Sequence, residues 1–434
     1  MSALTKTEQP FAPISYRELV SDNRDFRYLW FGQIVSLLGD WFNLIASAAL
    51  IAALTQTGAA IGALFVVRML APFLVSPIAG VVADRYNRKQ ILIVTDIVRA
   101  VVVFAMLLVR NADQVWLLYT LTAVQLGISG FFFPTRNAIL PDVVPPRAVG
   151  AANALSSATW SVMLALGAAI GGLVSGLWGI YPAFIIDGLT FILSAFFIAQ
   201  IRYKVSAPAD GTDQTVGAAL RQYIDGLRYL GRFPDVLVIS LHKAAIAFFM
   251  IAGFQVVQVV IAEDIFPYGQ GGGYSMGMMF AVLGVGSGLG PVLARYFTGD
   301  RDRALRQGIL VGYLFGVIGY VIVAPLFSFP LVLVGLIMRG VGGGIVWVFS
   351  TQLLLQLVPA EVRGRVFATE FAFFSLLSAV AAYLVGRFID TVNIPTMIWW
   401  MAGSIILPGL LWIAWLARGH RGNQTPDEVE TVSA

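Results

Sequence analysis

Apolar stretches of about 20 residues or more follow one another along the whole chain, near residues 28–54, 59–82, 90–109, 115–134, 149–178, 181–201, 235–262, 273–297, 306–326, 329–353, 365–388 and 395–417. An α-helix rises ~1.5 Å per residue, so each run is long enough to cross a hydrocarbon layer of ~30 Å. Inside lipid the backbone must satisfy its own hydrogen bonds, which restricts the choice to helices or a closed barrel. A barrel would read as alternating segments of about 10 residues; these runs are continuous. With 58% hydrophobic and 12% charged residues and a mean hydropathy of +0.81, the chain has too little polar surface to coat a soluble globule. The sequence therefore predicts an all-α membrane protein with twelve transmembrane helices.

Lys and Arg fall on alternate connections: Arg17, Arg24 and Arg27 before the first run, Arg136 and Arg147 after the fourth, Arg202, Lys204, Arg221, Arg228 and Arg232 in the centre, Arg295 to Arg306 after the eighth, and Arg418 and Arg421 in the tail. The connections Thr55 to Gly58, Gly179 to Tyr181 and Ser328 to Pro330 carry no charge. Basic loops stay in the cytoplasm, so both termini are expected there, in a multi-pass protein of the cell (inner) membrane. The first residues are charged and lack an apolar core, so no cleavable signal is expected and the first helix directs insertion. The absence of cysteine excludes disulfides and thiolate metal sites. The net charge of +4 reflects the basic loops, and no nucleic-acid partner, metal or other cofactor is expected.

Val144-Pro-Pro-Arg-Ala-Val-Gly150 is repeated as Val358-Pro-Ala-Glu-Val-Arg-Gly364, each just after the fourth run of its half. Such repeats build many transporter folds. The chain divides accordingly into an N-terminal segment (1–27), a six-helix bundle (28–201), a linker (202–234), a second six-helix bundle (235–417) and a tail (418–434). In the linker, Ala207 to Gly211 reads as flexible, and Leu220, Tyr223, Ile224, Leu227 and Leu230 share one face of an amphipathic surface helix.

Between the second and third runs stands Gly80-Val-Val-Ala-Asp-Arg-Tyr-Asn-Arg-Lys89. It resembles the cytoplasmic hinge of the major facilitator superfamily, whose members are secondary transporters built from two pseudo-symmetric six-helix bundles. Asn87 stands where the superfamily usually has Gly or Ala, and tolerates a left-handed turn. Asp25-Phe-Arg-Tyr-Leu-Trp30 with Gly39-Asp40, Pro134-Thr-Arg136 and Gly364-Arg-Val-Phe-Ala368 resemble one branch, the enterobactin-exporter-like and macrolide-efflux-like permeases. The antiport signature of drug exporters, Gly-Pro-x-x-Gly-Gly in helix 5, is here Gly167-Ala-Ala-Ile-Gly-Gly172, without its proline.

The resemblance implies that Gly80 permits close packing, that Asp84 caps or pairs with a neighbouring helix, and that Arg85, Arg88 and Lys89 latch the halves together. It places Glu370 beside Asp84 and Arg85 in an inner gate. It lines a central cavity with helices 1, 4, 7 and 10, and so brings Asp40, Gln125, His242 or Lys243, and Arg339 to it.

Ionisable residues inside spans are costly and mark function by default. By helical rise, Asp40 lies ~18 Å from the cytoplasmic end of its helix and Arg68 ~14 Å from the outer end of the next. Asp40 is either a protonation switch, neutral in one access state and paired with Arg68 in the other, or half of a permanent pair that fixes helix register. Asp96 and Arg99, one turn apart, read as a structural pair. Asp187 is an outer-gate or helix-packing acid. His242 and Lys243 point ~100° apart, so one at most faces the cavity well; His242 is a packing residue or a proton relay. The glycines at 284–290 and 340–344 lack the context of a phosphate loop, which leaves an ion or substrate gradient as the energy source.

The expected function is secondary active transport by alternating access, as a proton-coupled exporter, in a monomer with no enzymatic activity. Arg68, Lys243 and Arg339 outnumber Asp40 and favour anionic or zwitterionic amphipathic solutes such as siderophores, lipids or drugs. A nutrient importer or facilitator is the alternative. A membrane enzyme or signalling protein would need a soluble domain or a catalytic constellation, and neither is legible.

Overall fold

The structure, a computed structural model, describes residues 15–202, 216–299 and 301–418. A short surface helix, α1 (Tyr16–Asp22), is capped by the Ser15 hydroxyl, which accepts from the Glu18 N–H at 3.2 Å. Six long helices follow: α2 (Arg24–Thr55), α3 (Gly58–Arg85), α4 (Arg88–Met106), α5 (Val115–Val143), α6 (Val149–Trp178) and α7 (Ile180–Ala199). A linker helix, α8 (Val216–Arg232), leads to six more: α9 (Pro234–Ile265), α10 (Gly273–Thr298), α11 (Asp302–Val323), α12 (Phe329–Leu357), α13 (Ala360–Phe388) and α14 (Ile394–Ala417). There is no strand among the described residues.

Among the described residues, eleven helices are long and apolar enough to span a membrane. The twelfth is α4, whose 19 residues include Arg88, Lys89, Asp96 and Arg99. Asp96 and Arg99 pair inside the protein while Arg88 and Lys89 lie at its half-exposed end, which makes a span of low hydropathy tolerable. The helix begins at Asn87, whose side chain accepts from the Gln90 N–H at 3.2 Å with φ −61°. Asn87 is thus an N-cap with extended backbone, and the left-handed turn that Asn would tolerate is not adopted.

The face at which α2 begins carries most Lys and Arg and is termed here the basic face. At the opposite face, the three connections read as uncharged are joined by segments bearing Arg110, Asp113, Glu263, Asp264 and Asp390. The two halves meet near that opposite face through small residues. A Cβ built on Gly172 of α6 would fall 2.4 Å from Gly277 Cα of α10, and one on Gly62 of α3 would fall 2.8 Å from Gly386 Cα of α13. Only glycine allows backbones this close.

Burial along α2 records the consequence. Residues 42–52 are all buried, whereas Ile34, Val35, Leu38 and Trp41 form a half-exposed stripe nearer the basic face. In α9, residues 252–262 are likewise buried apart from the half-exposed Gln255 and Val260. The halves are sealed at the opposite face, and the open approach to the interior is from the basic face. The Trp41 and Phe280 rings, 5.5 Å apart between centroids, sit where the stripe ends. At the basic face α8 packs on α13, with Gly226 against Thr369 and the Arg365 backbone. The Ala207 to Gly211 stretch lies outside the described residues.

Candidate functional site

A buried polar cluster joins α2, α3, α4 and α7 at the level where the stripe on α2 ends. Arg99 donates to Asp96, one turn earlier on α4, and to the hydroxyls of Ser129 (3.3 Å) and Ser36 (3.4 Å). Its guanidinium lies between the rings of Phe132 and Phe191, 4.5 and 4.2 Å from their centroids. Asp96 also accepts from the Ser194 hydroxyl of α7 at 2.7 Å. Both charges are fully buried. The structural pair read from the sequence therefore forms, and three further helices, α2, α5 and α7, supply its remaining partners.

Asp40 and Arg68 belong to the same cluster but form no ion pair. Arg68 Nη1 instead lies 3.5 Å from Asn43 Oδ1, and Asp40 Oδ1 is buried with no hydrogen-bond partner. Asn43 follows Asp40 by three residues, presents its amide one turn further along α2, and takes the guanidinium that the sequence assigned to the acid. Asp187 completes the cluster from α7. It is fully buried beside Gly39, where a Cβ would fall 2.5 Å from Asp187 Oδ1. Neither Asp187 oxygen has a hydrogen-bond partner; the Asn43 side chain is adjacent, and the charges acting on Asp187 are those of Asp40, Arg99 and Arg68. Asp187 is thus tied to the chemistry around Asp40. Gly39, immediately before Asp40, was the available signal: a residue without a side chain beside a membrane acid marks the close approach of another helix.

Gln125 and Thr122 of α5 are buried, with Gln125 Oε1 and Thr122 Oγ1 unpartnered. In the second half, Lys243 of α9 is 2.8 Å from Glu370 Oε2 of α13 and lies over the rings of Trp347 and Phe367. Glu370 therefore pairs with α9; the side chains of Asp84 and Arg85, its expected neighbours, lie outside the described residues. His242 turns the other way: Nδ1 is 2.8 Å from the Tyr313 hydroxyl, and the ring stands edge-on to Trp412. Adjacent residues on a helix diverge by ~100°, and here Lys243 has the inter-helix charge while His242 packs.

Arg339 is buried among α9, α11 and α12. It donates to the Met250 carbonyl and to the Tyr320 hydroxyl at 3.4 Å, and lies 4.1 Å over the Phe254 ring. Met250 falls in a π-helical turn, Ala247–Ile251, where the α-helical hydrogen-bond ladder is interrupted. The Tyr320 hydroxyl also donates to this turn, 3.2 Å from the Phe249 carbonyl and 3.1 Å from that of Met250. Arg339 is therefore a backbone anchor. The expected position lining a cavity does not follow from these contacts.

Two of the hinge bases, Arg88 and Lys89, have partners within their own half. Arg88 is 2.8 Å from Asp142 of α5 and donates to the Ala138 carbonyl; Lys89 donates to the carbonyls of Ala199 and Ile201 at the end of α7. These partners end the helices that flank the hinge, so the bases close the first bundle at the basic face, where the family resemblance has them latch the two halves. The corresponding tie in the second half is Arg306, held between Asp235 and Asp302.

Two bundles of six spans, sealed at one face and approached from the other around buried charges, are the architecture of a membrane carrier. The sequence profile described as the Major Facilitator Superfamily matches residues 29–369. The chain belongs to that superfamily. An uncharacterised MFS-type transporter of Bacillus subtilis, YfiS, is 26% identical over 81% of this chain and 83% of its own length. A putative bacilysin exporter of Bacillus amyloliquefaciens, BacE, is 23% identical over 83% of this chain and 87% of its own. A point mutant of the nucleoside transporter NupG superposes with a TM-score of 0.73 at 12% identity, over 90% of this chain and 99% of that one, which establishes the fold. The protein is a multi-pass MFS transporter of the inner membrane, the setting in which its charge clusters have to be read.

Proposed function

We propose that this MFS transporter is a proton-coupled exporter of small amphipathic solutes, anionic or zwitterionic, that works as a monomer by alternating access with both termini in the cytoplasm. The observation that carries the reading is the state of Asp40: a membrane carboxylate at the inner end of the sealed part of α2, with one oxygen buried and unpartnered and Arg68 within electrostatic reach but out of contact. An acid in such surroundings is held neutral by desolvation and ionised by a neighbouring cation, so movement of α2 against α3 would bind and release a proton. Alternation would open the glycine contacts α3–α13 and α6–α10 and close the basic face around the hinge residues.

Export is favoured by the similarity to a protein named as an exporter, BacE. Solute class is argued from the approach itself, where Ile34, Val35, Leu38 and Trp41 offer half-exposed apolar surface and Arg68, also half-exposed, offers a cation. Lys243 would add a second cation only on leaving Glu370, and Arg339 adds none.

The test is flux of an anionic amphiphile in proteoliposomes under an imposed pH gradient. Wild type is expected to accumulate solute against its gradient, and Asp40→Asn to bind and exchange solute without responding to pH. Gradient-driven accumulation by Asp40→Asn would overturn the role of Asp40, and saturable flux of sugars alone would favour a nutrient facilitator.

A further inference from the structure

The charge clusters of the second half and of the hinge put each of these acids in contact with a base: the buried Glu370 with Lys243, the half-exposed Asp235 and Asp302 both with Arg306, and the exposed Asp142 with Arg88. The cluster around Asp40 does not. Its carboxyls are Asp40 from α2, Asp96 from α4 and Asp187 from α7; its cations are Arg68 from α3 and Arg99 from α4. Asp96 is consumed by Arg99, with Ser194 on its other oxygen. That leaves Arg68 alone against Asp40 and Asp187. On α5 the nearest base by sequence, Arg136, is engaged by Gln33 and by Ser156 of α6 at 2.7 Å. The remaining polar groups here are neutral: Asn43 and Ser36 on α2, Ser129 on α5, Thr190 and Ser194 on α7.

With both acids ionised, the fully buried Asp187 carboxylate would have the neutral Asn43 amide beside it but no cation of its own. With both protonated, the half-buried Arg68 would have no carboxylate to balance it. One proton for the two acids is the only occupancy that leaves the cluster neutral, and low-dielectric surroundings penalise every other. We propose that Asp40 and Asp187 hold a single proton between them, so that the proton site is a two-helix carboxyl pair set against Arg68 and not Asp40 alone. The inference deepens the proton-coupled reading above, but it concerns resting occupancy and stands or falls without flux. Gly39 gains a purpose in the same scheme: a Cβ there would fall 2.5 Å from Asp187 Oδ1 and 2.0 Å from Thr190 Oγ1, so any other residue would push α7 and its acid away from Asp40.

Infrared difference spectroscopy of the purified full chain near neutral pH, in the protonated-carboxyl stretching region, tests this directly. Subtracting Asp187→Asn from wild type cancels other protonated acids, such as any at Glu263 or Glu370, and should leave the band of one carboxyl. Subtracting Asp40→Asn should leave a band of the same size, because in either variant the surviving acid is matched by Arg68 and ionises. Arg68→Gln should gain a second carboxyl, a variant that keeps the test alive if either aspartate variant fails to fold. A band lost in only one aspartate variant, or no band in wild type, would overturn the shared proton. Pairing confirmed by these spectra alongside flux that ignores pH would sink the export mechanism and leave the pair standing; the reverse outcome would do the opposite.

Discussion

Lys243 on α9 and Glu370 on α13 face each other at 2.8 Å, both buried, with the Lys243 ammonium 4.8 Å from the Trp347 ring centroid. Two charges taken out of water are tolerable only while they remain together. Removing one partner strands the other, and on the scale of buried pairs this costs about 3 kcal/mol. Lys243→Met and Glu370→Gln should each lower the thermal midpoint of the purified protein clearly, while the double variant should recover much of the loss. A double variant as unstable as the sum of the singles would show that the pair is not the relevant contact.

Asp390, just beyond α13, caps a helix of the other half. Its carboxylate accepts from the Gly58 N–H at 2.8 Å and the Ala59 N–H at 3.3 Å, at the start of α3, where Thr57 supplies no side-chain cap. A helix N-terminus favours an anion, and a lost cap costs about 1 kcal/mol. Because this cap exists only while the opposite face is sealed, Asp390→Ala should move the closed-to-open balance about fivefold toward opening. The chain has no cysteine, so spin labels on Asn111→Cys and Phe327→Cys report that face cleanly. Their distance distribution should gain a longer component in Asp390→Ala and not in wild type.

The twelve spans were legible because hydropathy and helix length are local properties, and even α4, the most charged span, kept a recognisable apolar run. The hinge and the repeat gave the superfamily for the same reason. What a single sequence could not give was azimuth. Asp40 and Arg68 were at compatible depths, yet a rotation of less than one turn of α2 put Asn43 against the guanidinium. Asp187, Arg339 and Glu370 were recognised as costly residues, but their partners come from helices distant in sequence, and the partner decides whether a charge is an anchor, a gate or a proton site. The π-turn that receives Arg339 has no sequence signature at all.

Gly172 and Gly277 set the distance between α6 and α10. A Cβ on Gly172 would meet Gly277 Cα at 2.4 Å, the Gly273 carbonyl oxygen at 2.6 Å and Gly277 N at 2.8 Å, all of them backbone atoms that cannot rotate aside. Gly172→Ala should therefore hold the opposite face apart, and Gly172→Val more so. The expected result is a stably inserted protein whose spin-label distances at Asn111→Cys and Phe327→Cys favour the open component, with transport reduced at least tenfold. Unchanged distances in Gly172→Val would mean that the helices separate elsewhere.

Arg339 offers a test of why α9 is interrupted. A π-turn inserts one residue into the helix and rotates the downstream residues by ~100° relative to an uninterrupted helix, so Ala247–Ile251 sets the azimuth of residues 252–260 against that of Lys243. The turn persists because its Met250 carbonyl accepts from Arg339 and, with that of Phe249, from Tyr320. Arg339→Leu removes the charge-assisted donor from a buried carbonyl, a loss on the order of 2 kcal/mol. Tyr320→Phe removes the weaker, neutral one, on the order of 1 kcal/mol. If the anchor sets the turn, the two losses are strongly non-additive, because once the turn relaxes to α-helix there is no free carbonyl for the second donor to serve. Arg339→Lys restores a charge without the planar fork and should rescue stability only partly. Thermal midpoints of the two single variants, the double variant and Arg339→Lys measure this cycle; additive losses would show that Arg339 and Tyr320 stabilise α9 independently of the turn.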